Sequence, residues 1–201
     1  MTAVMDRETS DVAIIEASRR DADRFGLLYD RYCGMLYRYA YRRLGPSGSA
    51  EDVVADAFVV AFRKRGGYDL SKADARPWLF GILTREIARR RRSEEARYRA
   101  LGRAGTDEQV HEFADRVVAA VAAQAVRGEL TAALAGLRPA ERDVLLLIAW
   151  GELSYEETAA ALGVPIGTVR SRLARARGQL TASLPASPAR PRANATQTEA
   201  Y

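Results

Sequence analysis

The chain has 201 residues, 48% of them hydrophobic, and a formal net charge of +5 with an isoelectric point of about 9.6. This composition suits one large or two small globular domains, and the positive charge favours an anionic partner. With one cysteine, Cys33, and one histidine, His111, an internal disulfide is excluded and a metal centre or His-based catalytic site is implausible. We therefore expect no cofactor, no metal and no enzymatic activity.

The chain also lacks signals for a membrane. No apolar run reaches transmembrane length, and residues 1–11 lack the apolar core of a signal peptide. We expect a cytoplasmic protein without stable membrane insertion.

Helical spacing of apolar residues dominates the first half, and strand signals are weak, so we predict an all-α protein. A first helical block spans residues 10–44 and is broken near Arg20. A second helix, capped by Ser49, runs to about Lys64. A third begins near Arg76 with Pro77 in its first turn, and it ends in four consecutive arginines, residues 89–92.

The second half is predicted to contain more helices after a polar stretch that suits a linker. An Ala/Val-rich helix spans about 108–126, and further helices cover 129–136, 139–150, 154–162 and 166–180. The tail after Leu184 is rich in proline and small polar residues, which predicts disorder. The predicted organisation is a first domain at 10–92, a flexible linker at 93–112, a second domain at 113–183 and a disordered tail at 184–201.

The segment from Ser154 to Leu180 has the pattern of a helix-turn-helix. Ser154 can cap the first helix, the turn is Gly163-Val164-Pro165, and Val164 can insert between the two helices. In the second helix one stripe is apolar, comprising Ile166, Val169, Leu173, Ala176 and Leu180.

The opposite face of this second helix carries small and cationic side chains that fit a DNA major groove. We predict that base contacts come from its first turns. The predicted DNA-reading residues are Thr168, Arg170, Ser171, Arg172 and Arg175.

Residues 137–147, 153–159 and 162–177 closely resemble region 4 of extracytoplasmic-function (ECF) sigma factors, with Gly-Thr-Val-Arg-Ser-Arg-Leu (167–173) the most specific string. The resemblance implies that this helix recognises the promoter −35 element. It also implies RNA polymerase core as a partner, through the β flap and the β′ clamp, and an anti-sigma factor.

The first half resembles region 2 of the same family. The string Ala-Glu-Asp-Val-Val-Ala-Asp-Ala-Phe (50–58) is similar to the helix that docks on the β′ clamp, and Asp52 and Asp56 share a face four residues apart. The implied polymerase-binding residues are Glu51, Asp52, Asp56 and Phe58.

Arg-Pro-Trp-Leu-Phe-Gly-Ile (76–82) resembles the start of the region 2 helix that opens the −10 element. Melting requires aromatic platforms for unstacked bases and cations for the backbone. The candidates are Tyr68, Trp78, Arg85, Arg89 and Arg92. Arg85 and Arg89 depart from the family, which commonly carries Asn and Asp there, as do Ala55 and Phe62 in place of Gln and Trp.

The function predicted is that of a sigma factor, which directs RNA polymerase to promoters by −35 and −10 recognition and −10 melting. Two alternatives remain open. An ordinary helix-turn-helix regulator would need a sensing pocket or phosphoacceptor site in the first half, and neither is visible. A nucleic-acid enzyme would need clustered carboxylates, for which Glu51, Asp52 and Asp56 are the only tight group, better suited to one exposed helix face.

Overall fold

The computed structural model describes residues 9–45, 50–103, 130 and 132–183, with 94–103 described by their backbone alone. Helix α1 (Asp11–Ser18) is capped by Ser10, whose hydroxyl accepts from the Ala13 amide at 3.2 Å. A 3₁₀ turn over Ala22–Phe25 separates it from helix α2 (Gly26–Leu44), so the predicted break near Arg20 is confirmed.

Helices α3 (Ala50–Lys64) and α4 (Arg76–Arg103) complete the first unit. Ser49, the predicted cap of α3, lies outside the described residues. Helix α4 begins where predicted but extends eleven residues beyond Arg92, into the stretch expected to be a linker. Residues 94–101 are mostly good helix formers without glycine or proline, and this local propensity explains the longer helix.

A buried carboxylate connects the elements of the first unit. Asp11 accepts a 2.5 Å hydrogen bond from the Tyr32 hydroxyl, a 2.8 Å bond from the Ala75 amide and an ion pair from Arg31. Burial, reinforced by Asp11, raises the pKa of Tyr32. These bonds join α1, α2 and the segment before α4, and they offset the cost of burying Asp11.

The second unit comprises a helical stretch at 132–136, then α5 (Pro139–Ala149), α6 (Tyr155–Leu162) and α7 (Ile166–Ser183). Arg142 joins the first stretch to α5 because its guanidinium donates to the carbonyls of Leu134, Ala135 and Leu137 at 2.5–2.9 Å. The predicted helix at 108–126 and the predicted tail lie outside the described residues.

The two helical units share buried surface. Leu147, Leu153 and Ala161 from the second unit belong to the same apolar core as Phe80 and Leu83 of α4. The prediction of an all-α protein is confirmed, with no strand in the described ranges. None of the described helices is long and apolar enough to cross a membrane.

Candidate nucleic-acid interface

The turn between α6 and α7 is built by local hydrogen bonds. The Ser154 hydroxyl accepts from the Glu157 amide at 3.1 Å, and the Glu157 carboxylate accepts from the Ser154 amide at 2.6 Å, forming a capping box. Gly163 ends α6 with φ of 66°, a left-handed conformation that favours glycine. Val164 then packs against the core of the second unit, as predicted, so the direction in which α7 leaves the turn is set by packing.

Helix α7 divides into a buried and an exposed face. Val169, Leu173 and Ala176 are at most 2% exposed and pack on α5, which confirms the centre of the predicted apolar stripe. On the other side Arg170, Ser171 and Arg175 are exposed, and Thr168 and Arg172 are half-buried. The five predicted reading residues therefore lie along the first three turns of a helix whose opposite side is anchored.

Arg175 has a partner that the sequence analysis did not anticipate. Glu141, at the start of α5, has a side chain only 4% exposed, and its Oε1 lies 3.4 Å from Arg175 Nε. The other carboxylate oxygen of Glu141 has no hydrogen-bond partner among the residues that the structure describes. The burial of Glu141 could have been predicted from the sequence, because Glu141 precedes Val144 by three residues and so lies on the same inward face of the helix.

The aromatic candidates for −10 binding differ in exposure. Tyr68 is 7% exposed, and its hydroxyl donates to the carbonyls of Lys72 and Asp74 at 2.7 and 3.1 Å. Burial raises the pKa of Tyr68 to about 12. Trp78 is half-buried and meets the Tyr68 ring edge-on, with centroids 4.9 Å apart. The Tyr68 ring therefore packs in the core beside Trp78, and its role as a stacking platform stays a prediction.

The three arginine candidates on α4 are all exposed. Arg85 Nη1 donates to the Ala161 carbonyl of α6 at 3.4 Å. Arg89 pairs with Glu86 at 2.7 Å and with Asp56 at 3.2 Å, and the Glu86 hydrogen bond raises the pKa of Arg89. Arg92 is exposed in the turn that follows.

The acidic side chains of α3 are exposed, whereas Phe58 on the same helix is buried. The side chains of Asp52 and Asp56 are 69% and 55% exposed, and Glu51 is exposed beside them. Phe58 is 6% exposed and packs against Tyr29 with centroids 4.8 Å apart. The Phe58 ring therefore belongs to the core, and its role in polymerase binding stays a prediction.

Intramolecular cations compensate part of this acidic charge. Arg90 lies 3.6 Å from Asp52, and Arg89 lies 3.2 Å from Asp56. Repulsion between Asp52 and Asp56 therefore does not by itself require an external basic partner.

An exposed apolar side chain completes the acidic face. Val59 is 47% exposed, and its position seven residues after Asp52 and three after Asp56 puts all three on one side of α3. A single exposed apolar residue is ordinary on a protein surface, but Val59 gives a partner of this face an apolar side chain to contact. The sequence analysis missed Val59, although its spacing from the two aspartates was visible.

Across the part of the chain that the structure describes, no group of three or more His, Cys, Asp or Glu side chains is placed to hold a metal ion. Cys33 is half-buried against the core.

Both halves of the chain match one protein family. Residues 28–97 match the family described as Sigma-70 region 2, and residues 127–180 match Sigma-70, region 4. The chain is 32% identical over 175 residues to RNA polymerase sigma factor NccH of Alcaligenes xylosoxydans xylosoxydans, covering 85% of this chain and 92% of NccH. It is 28% identical over 166 residues to the ECF RNA polymerase sigma factor SigK of Mycobacterium sp. (strain KMS), covering 81% and 84% of the two chains.

Among solved structures, CnrH in complex with the cytosolic domain of CnrY is similar, with a TM-score of 0.59 and 25% identity over 86% of this chain and 95% of CnrH. Sigma factors are regulatory, non-catalytic proteins, and the presence of both regions in the right order does not favour an ordinary helix-turn-helix regulator. The chain belongs to the sigma-70 family of RNA polymerase sigma factors, in the ECF subfamily.

Proposed function

We propose that α7 reads the promoter −35 element, that α4 binds the −10 element, and that the acidic face of α3 docks on the β′ clamp of RNA polymerase. The exposed cationic face of α7 carries this proposal. Arg170 is exposed on a helix whose opposite side Val169 and Leu173 anchor in the core. Arg175 is exposed on the same helix, although its Nε lies beside Glu141. Arginine can bind guanine O6 and N7 in a bidentate manner, worth about 1–3 kcal/mol of discrimination per base.

The −10 surface rests on α4. Trp78 offers a half-buried indole for an unstacked base, held by the buried Tyr68 ring, and Arg85, Arg89 and Arg92 supply cations along the same side. Arg85 and Arg89 replace the Asn and Asp common in the family. We therefore expect these two residues to contact phosphates of the −10 element rather than its bases.

The docking surface comprises Asp52, Asp56 and Val59, with Glu51 at its edge. Its ion pairs with Arg89 and Arg90 are solvent-exposed, so exchanging them for a partner's cations costs little. Val59 adds an apolar contact that docking would bury.

Further partners follow from the family. The second unit is proposed to contact the β flap, and an anti-sigma protein is proposed to hold the free chain inactive. CnrH, similar in fold, is found in complex with the cytosolic domain of CnrY. We also propose that the protein is cytoplasmic and has no catalytic activity of its own, with initiation chemistry performed by the polymerase.

Run-off transcription with purified core polymerase tests the proposal. The wild-type chain should give promoter-dependent transcripts, and Arg170→Ala should reduce them about 5- to 150-fold, since one guanine contact is worth about 1–3 kcal/mol. Arg177→Ala is the matched control, because it removes an equally exposed arginine of α7 beyond the reading set. An equal loss of transcript with both variants would mean that only the positive charge of α7 matters and not a base contact by Arg170. Absence of any promoter-dependent transcript would contradict the sigma function itself.

A further inference from the structure

A small cavity beside the C-terminal end of α2 is lined by four arginines. Its volume is about 120 Å³, and no acidic side chain is among the described residues that line it. The arginines come from three helices: Arg42 and Arg43 of α2, Arg91 of α4 and Arg142 of α5. The remaining walls are apolar and comprise Leu134, Ala135, Leu146 and Trp150. We call this space the arginine cavity.

Arg142 is fixed in the wall of the arginine cavity and keeps a donor group unused. Its Nε and Nη2 donate to the carbonyls of Leu134, Ala135 and Leu137 at 2.5–2.9 Å. A guanidinium has five N–H donors, and Arg142 Nη1 donates to none of the described residues. Burial and the nearby positive charge of Arg43 lower the pKa of Arg142. An anion close to Arg142 would therefore stabilise its charged form.

The two arginines of α2 differ in their partners. Arg43 has a side chain only 3% exposed, which pairs with Asp143 at 2.7 Å and donates to the Tyr39 hydroxyl at 3.0 Å. Its Nε is buried and has no hydrogen-bond partner in the described part of the chain. Arg42 is exposed and makes no ion pair with a described residue. Asp143 therefore neutralises Arg43 but leaves Arg42 and Arg142 without a carboxylate of their own.

The size and the walls of the arginine cavity suit a phosphate group. One water molecule needs about 10–15 Å³ of cavity space, so 120 Å³ has room for several waters or for a phosphate group in their place. Guanidinium groups bind phosphate oxygens in a planar, bidentate manner. Apolar walls strengthen this attraction because they focus the field of the charges between them. A DNA duplex is too wide to enter such a space, so a small anion fits better.

We propose that the arginine cavity binds the phosphate groups of a small anion, of the class of pyrophosphate or a nucleoside diphosphate. Arg42 and Arg142 supply donors that no described side chain uses, and Arg43 and Arg91 add positive charge. Trp150 offers an apolar face to any organic group attached to the phosphate. The proposal is independent of the −35, −10 and clamp assignments, because none of these residues belongs to those sets.

Calorimetric titration of the full chain with inorganic pyrophosphate, in chloride buffer of physiological ionic strength, tests the site. The wild type should bind one pyrophosphate with a saturable isotherm. In a Trp78→Phe background Trp150 is the only tryptophan, and its fluorescence should change with the same midpoint. Absence of saturable pyrophosphate binding would overturn the proposal, and so would binding that leaves the Trp150 emission unchanged.

Arg42→Ala removes a cavity arginine that has no structural partner. It should weaken pyrophosphate binding about 5-fold, the factor that one net hydrogen bond provides. Arg38→Ala is the matched control, because Arg38 is exposed on α2 one turn earlier and does not line the cavity. Circular dichroism checks the fold of both variants. An equal loss with the two variants would show that only the surface charge of α2 matters, and this would overturn the proposal.

Ala135 permits a second test that keeps all four arginines. Ala135→Glu places a carboxylate in the cavity wall and should abolish pyrophosphate binding. Ala135→Gln has the same size without the charge and should retain most of it. Because Ala135 is exposed, both variants should fold. Equal pyrophosphate affinity of the two variants would overturn the proposal.

Two further ligands identify the source of the phosphate. Tighter binding of ADP than of pyrophosphate would assign the site to a nucleotide, and ADP binding that is no tighter would assign it to an inorganic anion; both results support a phosphate site. Promoter DNA is the third arm. If Ala135→Glu weakens DNA binding while neither wild type nor variant binds pyrophosphate, the DNA backbone is the occupant and the proposal is overturned.

Discussion

Replacing Arg175 tests how the buried Glu141 carboxylate is tolerated in the second unit. In the wild type the 4%-exposed Glu141 side chain is held 3.4 Å from Arg175 Nε, and the Arg175 side chain is 56% exposed. Breaking a fully buried pair costs about 3–5 kcal/mol, and an exposed pair contributes about 0–1 kcal/mol. This half-exposed pair lies between them, so we expect Arg175→Ala to lower the free energy of unfolding by about 1–2 kcal/mol.

The effect should depend on the charge at position 141. Glu141→Gln keeps an oxygen for Arg175 but removes the charge, so in that background Arg175→Ala should cost about 1 kcal/mol less than in the wild type. Thermal and urea unfolding of the full chain, followed by circular dichroism, measure the four corners of the cycle. An Arg175→Ala shift in the melting temperature of about 2–8 °C corresponds to the expected loss.

An Arg175→Ala cost that is the same with Glu and with Gln at position 141 would refute the reasoning. The cycle also decides how DNA-binding data are interpreted. The single variant Arg175→Ala loses both a base contact and stability, so its weaker −35 binding has two explanations. The double variant with Glu141→Gln loses the same base contact but less stability. Weak −35 binding in both variants would support a direct DNA role for Arg175.

Three further outcomes are expected from the remaining surfaces. The double variant Asp52→Arg with Asp56→Arg should abolish recovery of core polymerase in a pull-down while its circular dichroism spectrum stays unchanged. Asp30→Arg, at an exposed position of α2, is the control. Normal recovery with the double variant would contradict clamp docking. Val59→Glu should weaken polymerase affinity roughly 10-fold, or about 1.4 kcal/mol, when titrated by fluorescence anisotropy, and no change would remove Val59 from the docking surface. Burial raises the pKa of Glu157, but the hydrogen bond from the Ser154 amide and the ion pair with Arg76 outweigh it and lower that pKa. The contribution of Glu157 to the free energy of unfolding is therefore complete above its unfolded pKa of about 4.3 and is lost as the pH falls through the lower folded pKa. Below pH 4.5 the free energy of unfolding of the wild type should therefore fall more steeply than that of Glu157→Gln in urea titrations followed by circular dichroism, and parallel curves would count against this pair.

Local sequence was sufficient for much of the fold and for the reading helix. The Ser154 cap, the turn at Gly163 and the alternation of apolar and cationic positions along α7 act within one or two turns of backbone, and the structure has each of them as expected. The all-α class follows from the same short-range periodicity. The predicted end of α4 was wrong, because the helix continues past the arginines at 89–92 and ends at Arg103.

The tertiary structure alone decided which candidate side chains are exposed and what they contact. The sequence made Tyr68 and Phe58 candidates for contacts with DNA and polymerase, but packing between helices buries both. The pairing of Arg89 with Asp56 and of Glu141 with Arg175 joins residues more than thirty positions apart, which no local pattern specifies. The close approach of Gly81 to the Ala161 backbone depends on how two separate units pack, because burial is a property of the assembled helices and not of any one segment.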